Sequence, residues 1–191
     1  MKSFIDLVYC EKCGNTHSNR SKTFISDCRN GLSCDHNLGI NEEIIKLNNI
    51  LTYKEHSIPI IFIGMGTCGL ASGANKVKNA IEEELQKLNI DAKIVSTGCI
   101  GFCAKEVIVD IKLPNKDRIS YCEITPNDVP FLLQKTLVDK QIYIQKLLAT
   151  FGKTDEYATN IDEIPFFAKQ QKVVLKNCGI INPNSYRHPR I

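Results

Sequence analysis

Hydrophobic and polar positions fall into two registers along the middle of this chain. Ile58-Pro59-Ile60-Ile61-Phe62-Ile63 is an apolar run of strand length. It reads as a buried strand, with Pro59 tolerated only near its start because proline has no N–H for a ladder. Gly64 to Gly73 is a glycine-punctuated loop. Ala74, Val77, Ala80, Ile81, Leu85 and Leu88 then recur at helical spacing, with Lys and Glu between them. The period changes again at Asp91 to Val95, a second strand. Val107 to Ile111 and Arg118 to Ile124 read as two more, joined by a turn around Pro114-Asn115-Lys116-Asp117. Thr125 is the expected N-cap of a last helix, with Pro126 at its first position and its end near Asp139.

This order is strand, helix, strand, hairpin, helix. A right-handed βαβ crossover makes the first two strands parallel, the hairpin extends the sheet antiparallel, and helices cover its faces. The expected class is therefore α/β: a thioredoxin-like four-stranded mixed sheet with flanking helices over 57–140. Before it come a small Cys-rich segment, 1–40, and a linker helix, 41–56. After it, Ile142, Ile144, Leu147 and Leu148 continue a helix or start a linker helix, Val173-Val174-Leu175 reads as a short strand, and Asn182 to Ile191 is a polar loop. A chain ending this way has the look of a piece of something longer.

Composition narrows the classes. Of 191 residues, 43% are hydrophobic and 24% charged, the balance of a globular protein. The net charge of +3 is mild, and basic residues are interleaved with acidic ones, which argues against a nucleic-acid surface. No apolar run approaches the length of a membrane span, and Met1 to Cys13 lacks the order of a secretory signal, so a cytoplasmic location is expected. The nine cysteines are the unusual feature. In that compartment cysteines more often ligate metals or cycle electrons than form disulfides.

Cys99 and Cys103 form a C-x3-C pair in Thr97-Gly98-Cys99-Ile100-Gly101-Phe102-Cys103, between the second and third strands. Gly98 and Gly101 let the backbone fold closely around a bound core. Cys68 follows the first strand. The C-terminal ends of neighbouring parallel strands share one edge of a sheet, so Cys68 is expected near the pair. Three converging thiols approach the four ligands of an iron–sulfur centre. The alternative is a set of structural cysteines beside a tight turn.

The segments Gly64 to Ala74 and Ser96 to Cys103 resemble the thioredoxin-like [2Fe–2S] domain that heads the NADH-binding flavoprotein subunit of bacterial NADH dehydrogenases and of NADH-linked iron hydrogenases. Pro165-Phe166-Phe167, Gln171 to Gly179 and Ile181-Asn182-Pro183 are similar to the opening of the flavin-binding domain of those subunits, so 141–191 is expected to be a linker and the start of such a domain. The resemblance implies a [2Fe–2S] cluster on Cys68, Cys99 and Cys103 and an electron-transfer role beside flavoprotein or hydrogenase subunits, short of a complete enzyme. FMN and NADH are implied only for a partner or a longer form, since the glycine-rich flavin segment and the later [4Fe–4S] cysteines of that family are not in this sequence. One departure stands out: the family's first pair is C-x4-C, whereas Gly64 and Gly69 align with those cysteines here and Cys68 is displaced by one. The fourth ligand is unassigned.

Cys10-Glu11-Lys12-Cys13, followed by Cys28 and Cys34, with His17 and His36 nearby, suits a closed tetrahedral zinc site that would give a core-poor segment a reason to fold. A second iron–sulfur cluster, donation of the missing ligand to the first, and incidental thiols remain open there. Cys122 and Cys178 are expected to pack. Two other functions stay in view: a cluster-free interaction protein with an N-terminal zinc site, and a disulfide oxidoreductase, for which C-x3-C is the wrong spacing.

Overall fold

A computed structural model describes residues 49, 52–54, 56–175 and 177–183. The chain divides into two units, Met1–Glu55 and His56–Ile191, and the second carries all the elements below. Cys10, Cys13, Cys28 and Cys34, with His17 and His36, lie outside the described residues, as does nearly all of the expected 41–56 helix.

Strand β1 (Ile60–Gly64) is buried along its whole length at the centre of a mixed sheet. It begins after Pro59, whose carbonyl accepts from Lys93 N–H at 2.9 Å. β2 (Lys93–Thr97) runs parallel to it, pairing Ile60 with Lys93 and Gly64 with Thr97. β3 (Val109–Lys112) is antiparallel to β1 and forms a hairpin with β4 (Arg118–Tyr121). Asn115 turns that hairpin at φ 58, a left-handed conformation asparagine tolerates. This is the thioredoxin-like mixed arrangement that the sequence predicts, with β2 and β3 each displaced toward the C-terminus by about a dipeptide because register with β1 sets their bounds.

Three local expectations change. The Gly64–Gly73 loop contains a short helix, α1 (Thr67–Ala71), whose interior Gly69 disguises it. Gly73, at φ 99, then breaks the chain direction before α2 (Ala74–Lys87). Residues 142–148 form no helix: after a single turn at Ile144–Lys146, Leu147–Thr150 add a fifth strand, β5, antiparallel to β4. Pairing satisfies the N–H and C=O groups that β4 would otherwise present as an open edge, which outweighs the local helical spacing. Val173-Val174-Leu175 is a bend and turn, not a strand. Val173 and Val174 are 81% and 90% exposed, and β-propensity without a partner edge holds nothing. The order is thus β2-β1-β3-β4-β5, one strand more than expected.

The last helix starts later than Pro126. Thr125 donates its N–H and hydroxyl to Asp128 Oδ2 at 2.8 and 2.6 Å, closing a turn, and α3 (Val129–Leu133) follows with Pro130 in its first turn. A wider turn of helix continues it to Val138.

One sheet face packs on α2 and α3. Val77, Ile81 and Leu85 join Ile61, Ile63, Val109, Ile111, Leu132 and Leu133 in one core, each such side chain contributing about 1.5–3 kcal/mol on burial. The opposite face holds a buried ion pair. Arg118 Nε donates to Asp110 Oδ2 at 2.9 Å, Ser120 Oγ donates to Oδ1 at 2.5 Å, and the guanidinium lies 3.6 Å from the Phe62 ring centroid and 4.5 Å from that of Phe151. Arg118 also donates to the Gly179 carbonyl at 2.6 Å. That bond ties residues 177–183 to the sheet.

Candidate metal centre

Because β1 and β2 are parallel, the chain leaves both at the same edge. Because β3 is antiparallel to β1, the chain re-enters the sheet from that edge too. Cys68, on α1, follows β1. Cys99 follows β2. Cys103 opens a single helical turn, Cys103–Lys105, ahead of β3. Cys68 Sγ is 3.1 Å from Cys99 Sγ, Cys99 Sγ is 3.6 Å from Cys103 Sγ, and all three sulfurs lie within 4.8 Å of one another. Among the described residues this is the one group of three or more Cys, His, Asp or Glu ligand atoms drawn so closely together. The structure therefore brings together the three thiols that the sequence assigned to one edge.

The backbone around them is shaped to fit. Gly101, at φ 96, donates its N–H to Cys99 Sγ at 3.2 Å. Hydrogen bonds of that kind to ligating sulfur tune an iron–sulfur centre. A Cβ on Gly66 would stand 2.9 Å from Cys99 Cβ and 3.0 Å from its amide nitrogen, so only glycine lets α1 approach the C-x3-C loop this closely. Burial, with the Cys68 thiol beside it, pushes the Cys99 thiol up to about 12. Any metal must displace that proton, since thiolate is the ligating form. Soft thiolates select zinc, copper(I) and iron–sulfur clusters over hard cations, so the donor set fits a [2Fe–2S] group.

Sequence reasoning missed Glu106. Its Oε1 lies 3.7 Å from Cys68 Sγ, and its Oε2 accepts from Ile108 N–H at 3.0 Å. Burial raises its carboxyl above the ordinary range, against the hydrogen bonds from Ile108, Cys68 and Cys99 that lower it. The available signal was a lone acid soon after Cys103 and directly ahead of the apolar run at Val107. Phe102 was also missed. Its ring stacks on Phe166 at 4.2 Å between centroids and meets Phe167 edge-on at 5.5 Å. These contacts pin the C-x3-C loop to the segment that the sequence likened to the start of a flavin domain.

Cys178 is half-buried and packs beside the same loop: a Cβ on Gly98 would lie 3.4 Å from its sulfur. Cys122 is buried just beyond β4, outside the thiol group. Among the described residues no helix is long and apolar enough to cross a membrane.

No protein-family model matches the chain. A curated relative, the NADP-reducing hydrogenase subunit HndB of Solidesulfovibrio fructosivorans, is 28% identical over 69 residues, covering 36% of this chain and 55% of that protein. The chain thus spans about half the length of that relative. It is a hydrogenase subunit, the kind of protein that the loop motifs imply. Two solved structures are similar in part. A thioredoxin-like [2Fe–2S] ferredoxin from Aquifex aeolicus is 20% identical with a TM-score of 0.44, over 52% of this chain and 96% of that one. The wild-type form at 1.5 Å resolution is 19% identical with a TM-score of 0.43, over 49% and 99%.

Proposed function

We propose that this chain is a [2Fe–2S] electron-transfer module of a hydrogenase or NADH-linked oxidoreductase, held by Cys68, Cys99 and Cys103 with one further ligand. The observation that carries the reading is the convergence of those three thiols on one sheet edge, with Gly66 making room and Gly101 N–H on the Cys99 sulfur. When bound, such a cluster supplies one-electron redox chemistry. The chain's own residues fix its position: Phe102, stacked on Phe166 and meeting Phe167 edge-on, holds the loop in place. Flavoprotein or hydrogenase subunits are the proposed partners, with FMN and NADH bound by them or by a longer form, in a cytoplasmic complex without nucleic acid. The likeness to HndB, a subunit of an NADP-reducing hydrogenase, supports that setting. Cys10, Cys13, Cys28 and Cys34 are proposed to hold zinc.

The deciding experiment is iron, acid-labile sulfide and zinc per chain on protein purified without oxygen, beside a variant with those four N-terminal cysteines changed to serine. About two iron and two sulfide in both supports the module. Zinc present in the parent and lost from the variant supports the N-terminal site. No iron after reconstitution would sink the electron-transfer reading and leave a thioredoxin-like interaction scaffold.

A further inference from the structure

We infer that Glu106 is the fourth protein ligand of this centre, a carboxylate oxygen completing the set begun by Cys68, Cys99 and Cys103. The inference rests on the cluster reading above and assigns the ligand which that reading leaves open.

The space tells which group has replaced the missing thiol. Gly64 and Gly69 align with the two cysteines of the related loop, and both face Glu106. A Cβ on Gly64 would lie 3.0 Å from Glu106 Oε2 and 3.4 Å from Oε1. A Cβ on Gly69 would lie 3.3 Å from Oε2 and strike the Gly64 carbonyl oxygen at 2.1 Å. The carboxylate therefore fills the volume into which side chains at those positions would project, and Gly69 has no room for one. Topology delivers it there: β3 enters the sheet at the edge where β1 ends, with Ile108 C=O accepting from Gly64 N–H at 3.0 Å, and Glu106 stands just before that contact.

Its two oxygens are already divided between tasks. Oε2 is anchored by Ile108 N–H at 3.0 Å, while Oε1 faces the Cys68 sulfur at 3.7 Å. A ligating carboxylate is oriented by such a hydrogen bond on its other oxygen. Neither Glu106 nor Cys178, the remaining thiol beside the loop among the described residues, falls within the 4.8 Å group of the three sulfurs. The carboxylate is favoured because its Oε1 is in contact with Cys68 Sγ, whereas Cys178 lies against Gly98. A [2Fe–2S] centre takes four protein ligands and admits ligands other than cysteine on one iron, so three thiolates and a carboxylate are chemically sufficient.

The test uses the full chain with Glu106→Gln and Glu106→Cys, reconstituted beside the parent under argon. Iron and sulfide content, the visible spectrum and the EPR spectrum of the reduced form are read, with circular dichroism to compare folding. Glu106→Gln is expected to lose iron by roughly tenfold or more under a chelator challenge, the least that a group coupled to a metal site costs. Glu106→Cys is expected to keep iron and to gain sulfur-to-iron charge-transfer absorption at longer wavelength, with altered g-values. That signature appears only if residue 106 touches iron, so it separates ligation from a structural role even where the Gln variant folds poorly. Parent-like iron retention and spectra in both variants would overturn the assignment and leave the cluster reading intact. A parent that takes up no iron and sulfide would overturn the cluster reading itself, and the ligand assignment with it.

Discussion

Gly66 and Gly73 belong to one glycine-punctuated segment, and the sequence alone treats them alike. The structure separates them. Gly66 is needed for space, since its missing Cβ would sit 2.9 Å from Cys99 Cβ; Gly73 is needed for conformation, at φ 99 with nothing within 4 Å of an added Cβ. Gly66→Ala is therefore expected to push α1 off the C-x3-C loop, lowering iron per chain after anaerobic reconstitution while the fold survives. Gly73→Ala is expected to keep its iron and to lose about 1–2 kcal/mol of stability, the cost of a left-handed residue with a side chain. Urea denaturation and iron analysis on both variants check the pair; equal iron in the two would contradict the steric role of Gly66. At this scale the thiols were legible, because cysteine spacing announces itself. Glu106 was not, since one carboxylate near a strand reads as a solvated charge until the sheet brings Gly64 and Gly69 against it.

Elements were legible where one periodicity dominates, as in β1 and α2, and illegible where a partner decides the outcome. Leu147–Thr150 becomes strand because it pairs with β4, and Val173-Val174-Leu175, which pairs with no strand, stays irregular. The bond between Arg118 and Gly179 is of the same kind, joining β4 to a segment far along the chain. Arg118→Ala is expected to leave Asp110 buried without its counter-ion and to destabilise by roughly 3–5 kcal/mol in urea titration; Lys would serve poorly in its place, lacking the planar fork that meets Asp110 and stacks on Phe62. A change under about 1 kcal/mol would mean that water or relaxation already compensates the pair. The turn before α3 gives a pH signature. Burial disfavours ionised Asp128, but the Thr125 hydroxyl and N–H, with Lys146, outweigh it and hold its carboxyl below the usual range. A depressed carboxyl stabilises the fold above its ordinary pKa, and the gain is lost as pH falls through the folded value. Asp128→Asn should flatten that acid limb of the stability curve, and an unchanged limb would rule out Asp128 as its source.

In the whole molecule, the three thiols belong to pieces of chain that follow β1, follow β2 and precede β3, so a group bound by all of them ties together the three strands at one edge of the sheet. The edge was predictable from the βαβ order alone; the contacts on Phe102 were not, because Phe166 and Phe167 come from far along the chain and meet it only in the folded protein. Binding that favours the folded chain adds stability by mass action, about 2.7 kcal/mol when the free ligand is at a hundredfold its dissociation constant. For a chain of this size each kcal/mol moves the melting temperature by about 2–4 °C. Reconstituted protein should therefore melt several degrees above the metal-stripped form. Cys99→Ser should remove most of that difference, because Cys99 sits between the other two sulfurs, while serine at Cys10, Cys13, Cys28 and Cys34 should leave it in place for the β-sheet unit. Anaerobic melts followed by circular dichroism on reconstituted and metal-stripped samples of each variant, with iron measured on every sample, test this. A difference abolished by the N-terminal variant and kept by Cys99→Ser would move the stabilising metal from the sheet edge to the N-terminal cysteines.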